Sequence, residues 1–349
     1  MRNLYISTYP ARYRVDLCNV LAERLDCDIY HYVPVENEAD IMRCARYENR
    51  CLPVGKFCGK PYAKGLKALL ETAQPSFVLV QEFSLITLQL LLWRKRFGYR
   101  VVSICDDSMD LIRNRDFGWL HRLARLFVPA WLDDLVVSTP AVRDWYRNRF
   151  GKGQLMPILA DERRILPALE RALPDSERLR PGDKPIVAFV GRLVDLKNIP
   201  TLIHAFAPFR DRAQLVIIGD GPNRPQLESL APYAVFPGIL AEDDLLAWYN
   251  LIDVLVLPSF QEAYGAVTSE ALMAGAKVIV TRTAGSADLV REGENGFLVD
   301  PTDVAGLTDR IDRLLERAGS ARPLTRRENL HPYRFADYAE KLVEFLKGL

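Results

Sequence analysis

Short apolar runs alternate with longer stretches of helical periodicity along the whole chain, and this alternation predicts parallel α/β sheets. In the first 150 residues the strand-like runs fall at 4–8, 29–33, 77–81, 101–105 and 135–138, with helical patterns at about 12–25, 64–73, 84–97 and 119–127. Residues 34–62 are irregular and polar, which predicts an excursion or a ligand-side loop. A second series begins at 186–190 and continues at 215–218, 235–240 and 254–281. That last stretch reads as a strand, a turn at Pro258 and Ser259, a loop holding Glu262 and Gly265, a helix through Glu270, and a strand from Lys277. Residues 242–250 and 333–347 carry helical patterns. Residues 157–183 are charged and punctuated by prolines, and read as a hinge.

One pattern is ambiguous. A helix over 117–128 places Phe117, Trp119, Leu120, Leu123, Ala124, Leu126, Phe127 and Val128 on an arc of about 200°, with His121, Arg122 and Arg125 on the remainder. So wide a stripe predicts a core-facing helix; arginines beside aromatics leave a membrane-surface helix as the alternative.

At 349 residues the chain exceeds the usual size of a single core, which predicts two domains. We expect an N-terminal domain over 1–156, a linker over 157–183, a C-terminal domain over 184–332 and a terminal helix over 333–349. The net charge is only +1, yet residues 1–150 hold 22 Lys and Arg against 17 Asp and Glu, while the rest hold 24 against 28. A basic front half without a concentrated basic stripe argues against a nucleic-acid partner and fits an anionic acceptor or a membrane surface. No run of 18 apolar residues spans a membrane, and the N-terminus lacks a signal-peptide profile, so the expectation is a cytoplasmic protein. All six cysteines lie in the first third and are expected to stay reduced; Cys44, Cys51 and Cys58 recur every seven residues without metal-ligand spacing.

The candidate chemistry lies where strands end, the edge at which parallel sheets hold ligands. After the first strand come Arg12 and Arg14, which either meet a phosphate or acid sugar or form a solvated pair at a helix start. After the run at 101–105 come Asp106 and Asp107, either of which could orient an acceptor hydroxyl or take its proton, with loop capping as the plainer role. Asp26-Cys27-Asp28 reads as a surface turn. After the run at 186–190, Gly191 leads to Arg192 and Lys197, a fork-shaped cation and a point charge suited to phosphate. A helix beginning near Gly265 would leave its first N–H groups open to an anion, and Glu270 in its second turn could accept hydrogen bonds from a diol. Glu262 and Glu270 are too far apart in angle to hold one group together, so they serve two parts of one ligand.

The frame P-S-x-x-E-x-x-G-x-x-x-x-E-A-x-x-x-G around Glu262 and Glu270, with G-R-x-x-x-x-K-N at Gly191, closely resembles the retaining family-4 glycosyltransferases of the GT-B fold. The resemblance is strong over 184–316 and extends to the N-terminal half only in layout. It implies two Rossmann-like doubly wound domains facing a central cleft, and transfer from a nucleoside-diphosphate sugar, UDP favoured over GDP, to a hydroxyl of a glycan or lipid-linked glycan. It implies a diphosphate clamp of Gly191, Arg192 and Lys197 with the amides around Ala263, Tyr264, Gly265 and Ala266, a base cradled at Gly238 and Ile239, ribose on Glu270 and sugar on Glu262. Arg192, Lys197 and Glu262 are then the catalytic set, with Asp106 and Asp107 on the acceptor side in place of the histidine many relatives carry. No metal or further cofactor is required by this scheme, and peripheral contact with the inner face of a plasma membrane is compatible with it. A nucleotide-sugar epimerase of the same fold and a non-catalytic sugar-nucleotide-binding subunit are the alternatives.

Overall fold

Continuous Val, Ile and Leu runs are stable as strands buried on both faces, and these runs take that place: Ile186–Val190 is buried along its whole length, and Phe77–Gln81 is buried except at its last residue. The computed structural model describes residues 2–35, 38–113, 119–318 and 324–349. It divides into one unit of Met1–Ile158 with Phe335–Leu349, and a second of Leu159–Arg334.

In the first unit, among the described residues, the strands are β1 (Asn3–Ser7), β2 (Cys27–His31), β3 (Asn49–Cys51), a β4–β5 hairpin (Val54–Phe57, Lys60–Ala63), β6 (Phe77–Gln81), β7 (Arg100–Cys105), β8 (Asp134–Val137) and β9 (Gln154–Leu155). All but the hairpin form a parallel sheet of order β3-β2-β1-β6-β7-β8-β9. Its core gathers Leu4, Ile6, Val78, Val80, Val101 and Leu135 with Leu70, Leu90 and Tyr146 from the flanking helices. The stretch at 34–62 is more ordered than its polarity suggested, holding a short helix (Glu38–Met42), the edge strand β3 and the hairpin.

The second unit has strands β10 (Ile186–Val190), β11 (Gln214–Ile218), β12 (Val235–Gly238), β13 (Ile252–Leu257), β14 (Lys277–Thr281) and β15 (Gly296–Val299). They form a parallel sheet of order β12-β11-β10-β13-β14-β15, the doubly wound dinucleotide-type order. The segment read as a hinge contains two helices, Glu162–Arg171, with Ile165 and Leu169 buried, and Leu173–Leu179, both of which pack on the Glu242–Leu251 helix. The Phe335–Lys347 helix belongs to the first unit and packs on Val15–Leu25.

The ambiguous stripe is a helix over Trp119–Trp131. Phe117 lies outside the described residues, as do the side chains of Trp119, Leu120 and His121. Among the rest, Val128 is buried but Leu123, Leu126 and Phe127 are exposed, and Arg125 is buried. The core-facing expectation is therefore corrected: this helix turns Arg125 inward, toward an acidic partner, and much of its apolar arc outward. Asp26 is exposed in the turn before β2, as the surface reading had it, but Cys27 is buried in β2 and Asp28 is held by Arg2 at 2.7 Å and Arg50 at 3.4 Å, which corrects that reading for the latter two.

Candidate functional site

Strand order in the second sheet reverses between β10 and β13, and at such a point the loops leaving the two strands diverge and open a crevice at the carboxyl edge. The loop after β10 carries Gly191, Arg192 and Lys197; the loop after β13 carries Glu262 and Gly265. The two are tied to each other. Buried Asn198, in the left-handed region at φ 52°, donates from Nδ2 to the carbonyls of Pro258 (3.0 Å) and Pro301 (2.8 Å) and accepts from the Thr201 hydroxyl at 2.7 Å. The Phe260 N–H donates to Leu196 O at 2.9 Å. Lys197 Nζ then meets Glu262 Oε2 in an ion pair, with 17% and 15% of the two side chains exposed. The Arg192 guanidinium is exposed and has no partner among the described residues. From the far side, Gly219 holds the first loop in place: a Cβ there would lie 1.9 Å from Gly191 O.

The second loop is anchored to the turn after β14. Thr281 Oγ1 and Thr283 Oγ1 donate to Ser259 O at 2.8 and 3.2 Å, and the N–H groups of Gly285 and Ser286 donate to Glu262 O (3.2 Å) and Tyr264 O (2.7 Å). Gly265, at φ 91°, occupies the N-cap position of the Ala266–Met273 helix, and no side chain caps that start. A Cβ at Gly265 would lie 2.6 Å from Leu257 Cδ2, so the tight turn needs glycine for space as well as for its dihedral. Ala263 and Tyr264 complete the approach to this helix start, Tyr264 buried. Glu270, on the helix, accepts the Tyr249 hydroxyl at 2.5 Å on Oε2. Gly238 ends β12, its carbonyl accepting from Gly219 N at 2.9 Å, and Ile239 beside it is exposed. The two glutamates thus have different partners, Lys197 and Tyr249.

In the first unit the order reverses between β1 and β6. Here Arg14 pairs with Asp106, which also accepts from Tyr13 OH at 3.5 Å, and Arg12 pairs with Asp40 at 2.5 Å. Arg14 is buried, so these arginines are not the solvated pair that was one of their two readings. Asp107 is buried and gripped by Arg125 through Nε (2.8 Å) and Nη2, with Tyr146 OH at 3.5 Å. Between them stands Glu82, which the sequence did not single out. It follows β6 at φ 61°, its Oε1 accepts from Asp106 N at 3.3 Å, and its Oε2 lies 3.8 Å from Arg125 Nη2. Burial, then the neighbouring Asp107 carboxylate, push its pKa up to about 8.

Two parallel doubly wound sheets, each with its order reversing near the middle, make up the GT-B fold. Residues 184–317 match the family described as Glycosyl transferases group 1. Similar curated proteins include the GDP-mannose-dependent alpha-mannosyltransferase of Corynebacterium glutamicum, 39% identical over 35% of this chain and 29% of that protein. Another is the GDP-mannose-dependent alpha-(1-6)-phosphatidylinositol monomannoside mannosyltransferase of Mycobacterium tuberculosis, 30% identical over 59% of this chain and 60% of that one. The chain thus spans less than two thirds of either relative. Among solved structures, Anabaena HepE in complex with UDP superposes with a TM-score of 0.79 at 15% identity, covering 100% of both chains. Sucrose-phosphate synthase from Thermosynechococcus elongatus gives 0.77 at 20% identity, over 100% of this chain and 99% of that one. These likenesses establish the fold.

Proposed function

We propose that this protein is a retaining glycosyltransferase that moves a sugar from a nucleoside diphosphate to a hydroxyl of a glycan or lipid-linked glycan. The observation that carries this reading is the meeting of Lys197 and Glu262 from the two loops at the β10–β13 switch point, beside an uncapped helix start at Gly265. Arg192, Lys197 and the N–H groups following Gly265 would hold the diphosphate and stabilise the charge that develops as the sugar–phosphate bond breaks; preorganised donors of this kind are usually the largest catalytic contribution. Gly191 lets the first loop approach, Gly238 and Ile239 flank the base, Glu262 takes sugar hydroxyls and Glu270 the ribose. In a front-face substitution the acceptor oxygen attacks as the phosphate leaves, and that phosphate receives the acceptor's proton. No resident metal enters the scheme. On the acceptor side we assign the contact to Asp106, beside Tyr13 and less deeply buried than Asp107, and a supporting role to Asp107, whose buried pairing with Arg125 fits a structural member.

The names of the curated relatives bring GDP forward as the base, beside the UDP favoured from sequence. Calorimetric titration with GDP and with UDP tests the site. One of them should bind, and Glu270→Ala and Arg192→Ala should each weaken it about tenfold or more, as loss of a hydrogen bond to a charged group does. Unchanged binding in both variants would refute the assignment. We also propose peripheral membrane contact for the acceptor step, supported by the outward apolar face of the Trp119–Trp131 helix; among the described residues no helix is long and apolar enough to cross a membrane.

A further inference from the structure

The orientation of Glu270 is governed by residues distant in sequence. Tyr249, on the Glu242–Leu251 helix, is 1% exposed and donates its hydroxyl to Glu270 Oε2 at 2.5 Å. A phenol shut off from water needs such an acceptor, and the carboxylate that supplies it is fixed in rotation by the bond. The helices that carry the two residues are themselves braced by Arg327. Its Nη2 donates to Tyr249 O at 2.8 Å and its Nε to Ala274 O at 3.1 Å, the C-cap carbonyl of the Ala266–Met273 helix, while Asp253 lies 3.6 Å from Nη1. A helix C-terminus is the negative end of its dipole, so a guanidinium is well matched there, and its planar fork sets two acceptors in one geometry. The stem of Arg327 passes close over Gly275, where a Cβ would lie 2.4 Å from Arg327 Cβ. One side chain therefore fixes the backbone beneath Tyr249 and the end of the helix that bears Glu270.

We propose that Tyr249 is a positioning residue that presents the Glu270 carboxylate to a ribose diol, and that Arg327 is the brace keeping the two helices at the spacing this requires. The inference rests on the nucleotide site proposed above. It assigns a role to two residues outside the loops, and the consequence is specific: loss of the Tyr249 hydroxyl should cost affinity through the ribose hydroxyls and not through the phosphates.

The test titrates the full chain with GDP and UDP and with their 2′,3′-dideoxy forms. For the base that binds, Tyr249→Phe should weaken the ribonucleotide about five- to tenfold, the equivalent of one hydrogen bond, and change the dideoxy form by less than about twofold. Glu270→Gln should weaken the ribonucleotide, and adding Tyr249→Phe to it should have little further effect. Arg327→Ala should show the same ribose-selective loss, with partial recovery in Arg327→Lys, whose ammonium can reach one carbonyl. A Tyr249→Phe protein that loses both nucleotide forms equally, or neither, while Glu270→Gln still weakens binding, would overturn this inference alone. If the unaltered protein binds neither base, or Glu270→Gln is silent, the nucleotide site is misassigned and the inference falls with it.

Discussion

Glu82 shows how a residue acquires chemistry from its neighbours. On its own it is a glutamate following a strand; in the fold it shares a small volume with Asp106, Asp107, Arg14 and Arg125, three carboxylates against two guanidinium groups. The two aspartates each take an arginine at short range, while Glu82 is buried beside the Asp107 carboxylate with Arg125 only at 3.8 Å; burial first, and that carboxylate second, push its pKa up to about 8. Because its folded pKa is raised above that of the unfolded chain, the native state binds the extra proton between about pH 4.5 and 8, and stability falls as pH rises through that window. Glu82→Gln should flatten this fall. Thermal unfolding of both proteins at pH 5, 6.5 and 8.5 measures it, and parallel curves would mean that Glu82 is ionised throughout. Asp106 and Asp107 were legible as candidates because they stand together just past a strand. Glu82 was not, since its contact with Asp106 spans 24 residues and two strands.

At the scale of elements, the Trp119–Trp131 helix illustrates the limit of periodicity. Its period locates a helix but not which face turns inward: Arg125 on this helix is buried against Asp107, and leaving that carboxylate unpaired would cost roughly 3–5 kcal/mol. The same helix shows Leu123, Leu126, Phe127 and Trp131 to the outside, with exposed Arg122 beside them. Such a face suits an anionic lipid surface, where apolar side chains enter the acyl boundary and arginine meets headgroups. Replacing Phe127 and Trp131 by serine should lower cosedimentation with vesicles containing phosphatidylglycerol several-fold and leave nucleotide binding unchanged; equal cosedimentation would count against a membrane role.

For the whole molecule, the first unit is assembled from both ends of the chain. The Phe335–Lys347 helix buries Phe335, Ala339, Leu342, Val343 and Leu346 in it, and Arg24 grips Glu340 at 2.6 and 2.8 Å. At about 1.5–3 kcal/mol per buried apolar side chain, this contribution is comparable to a domain's whole stability. Removal of residues 335–349 should therefore unfold or strongly destabilise the first unit while the second keeps its transition, which calorimetric scanning and limited proteolysis would read. Two unchanged transitions would show that the helix is dispensable.

The sequence by itself determined the parallel α/β class, the approximate strands and the two loops carrying Gly191 to Asn198 and Glu262 to Gly265, because buried runs, helical periods and glycine turns act over a few residues. Tertiary structure alone decided the pairings: Lys197 with Glu262 across 65 residues, Tyr249 with Glu270 across β13, Arg125 with Asp107, and Arg327 with two helix ends. Each joins segments whose meeting depends on the order in which strands lie in a sheet. That order is set by packing and by crossover connections, and no local pattern of side chains records it.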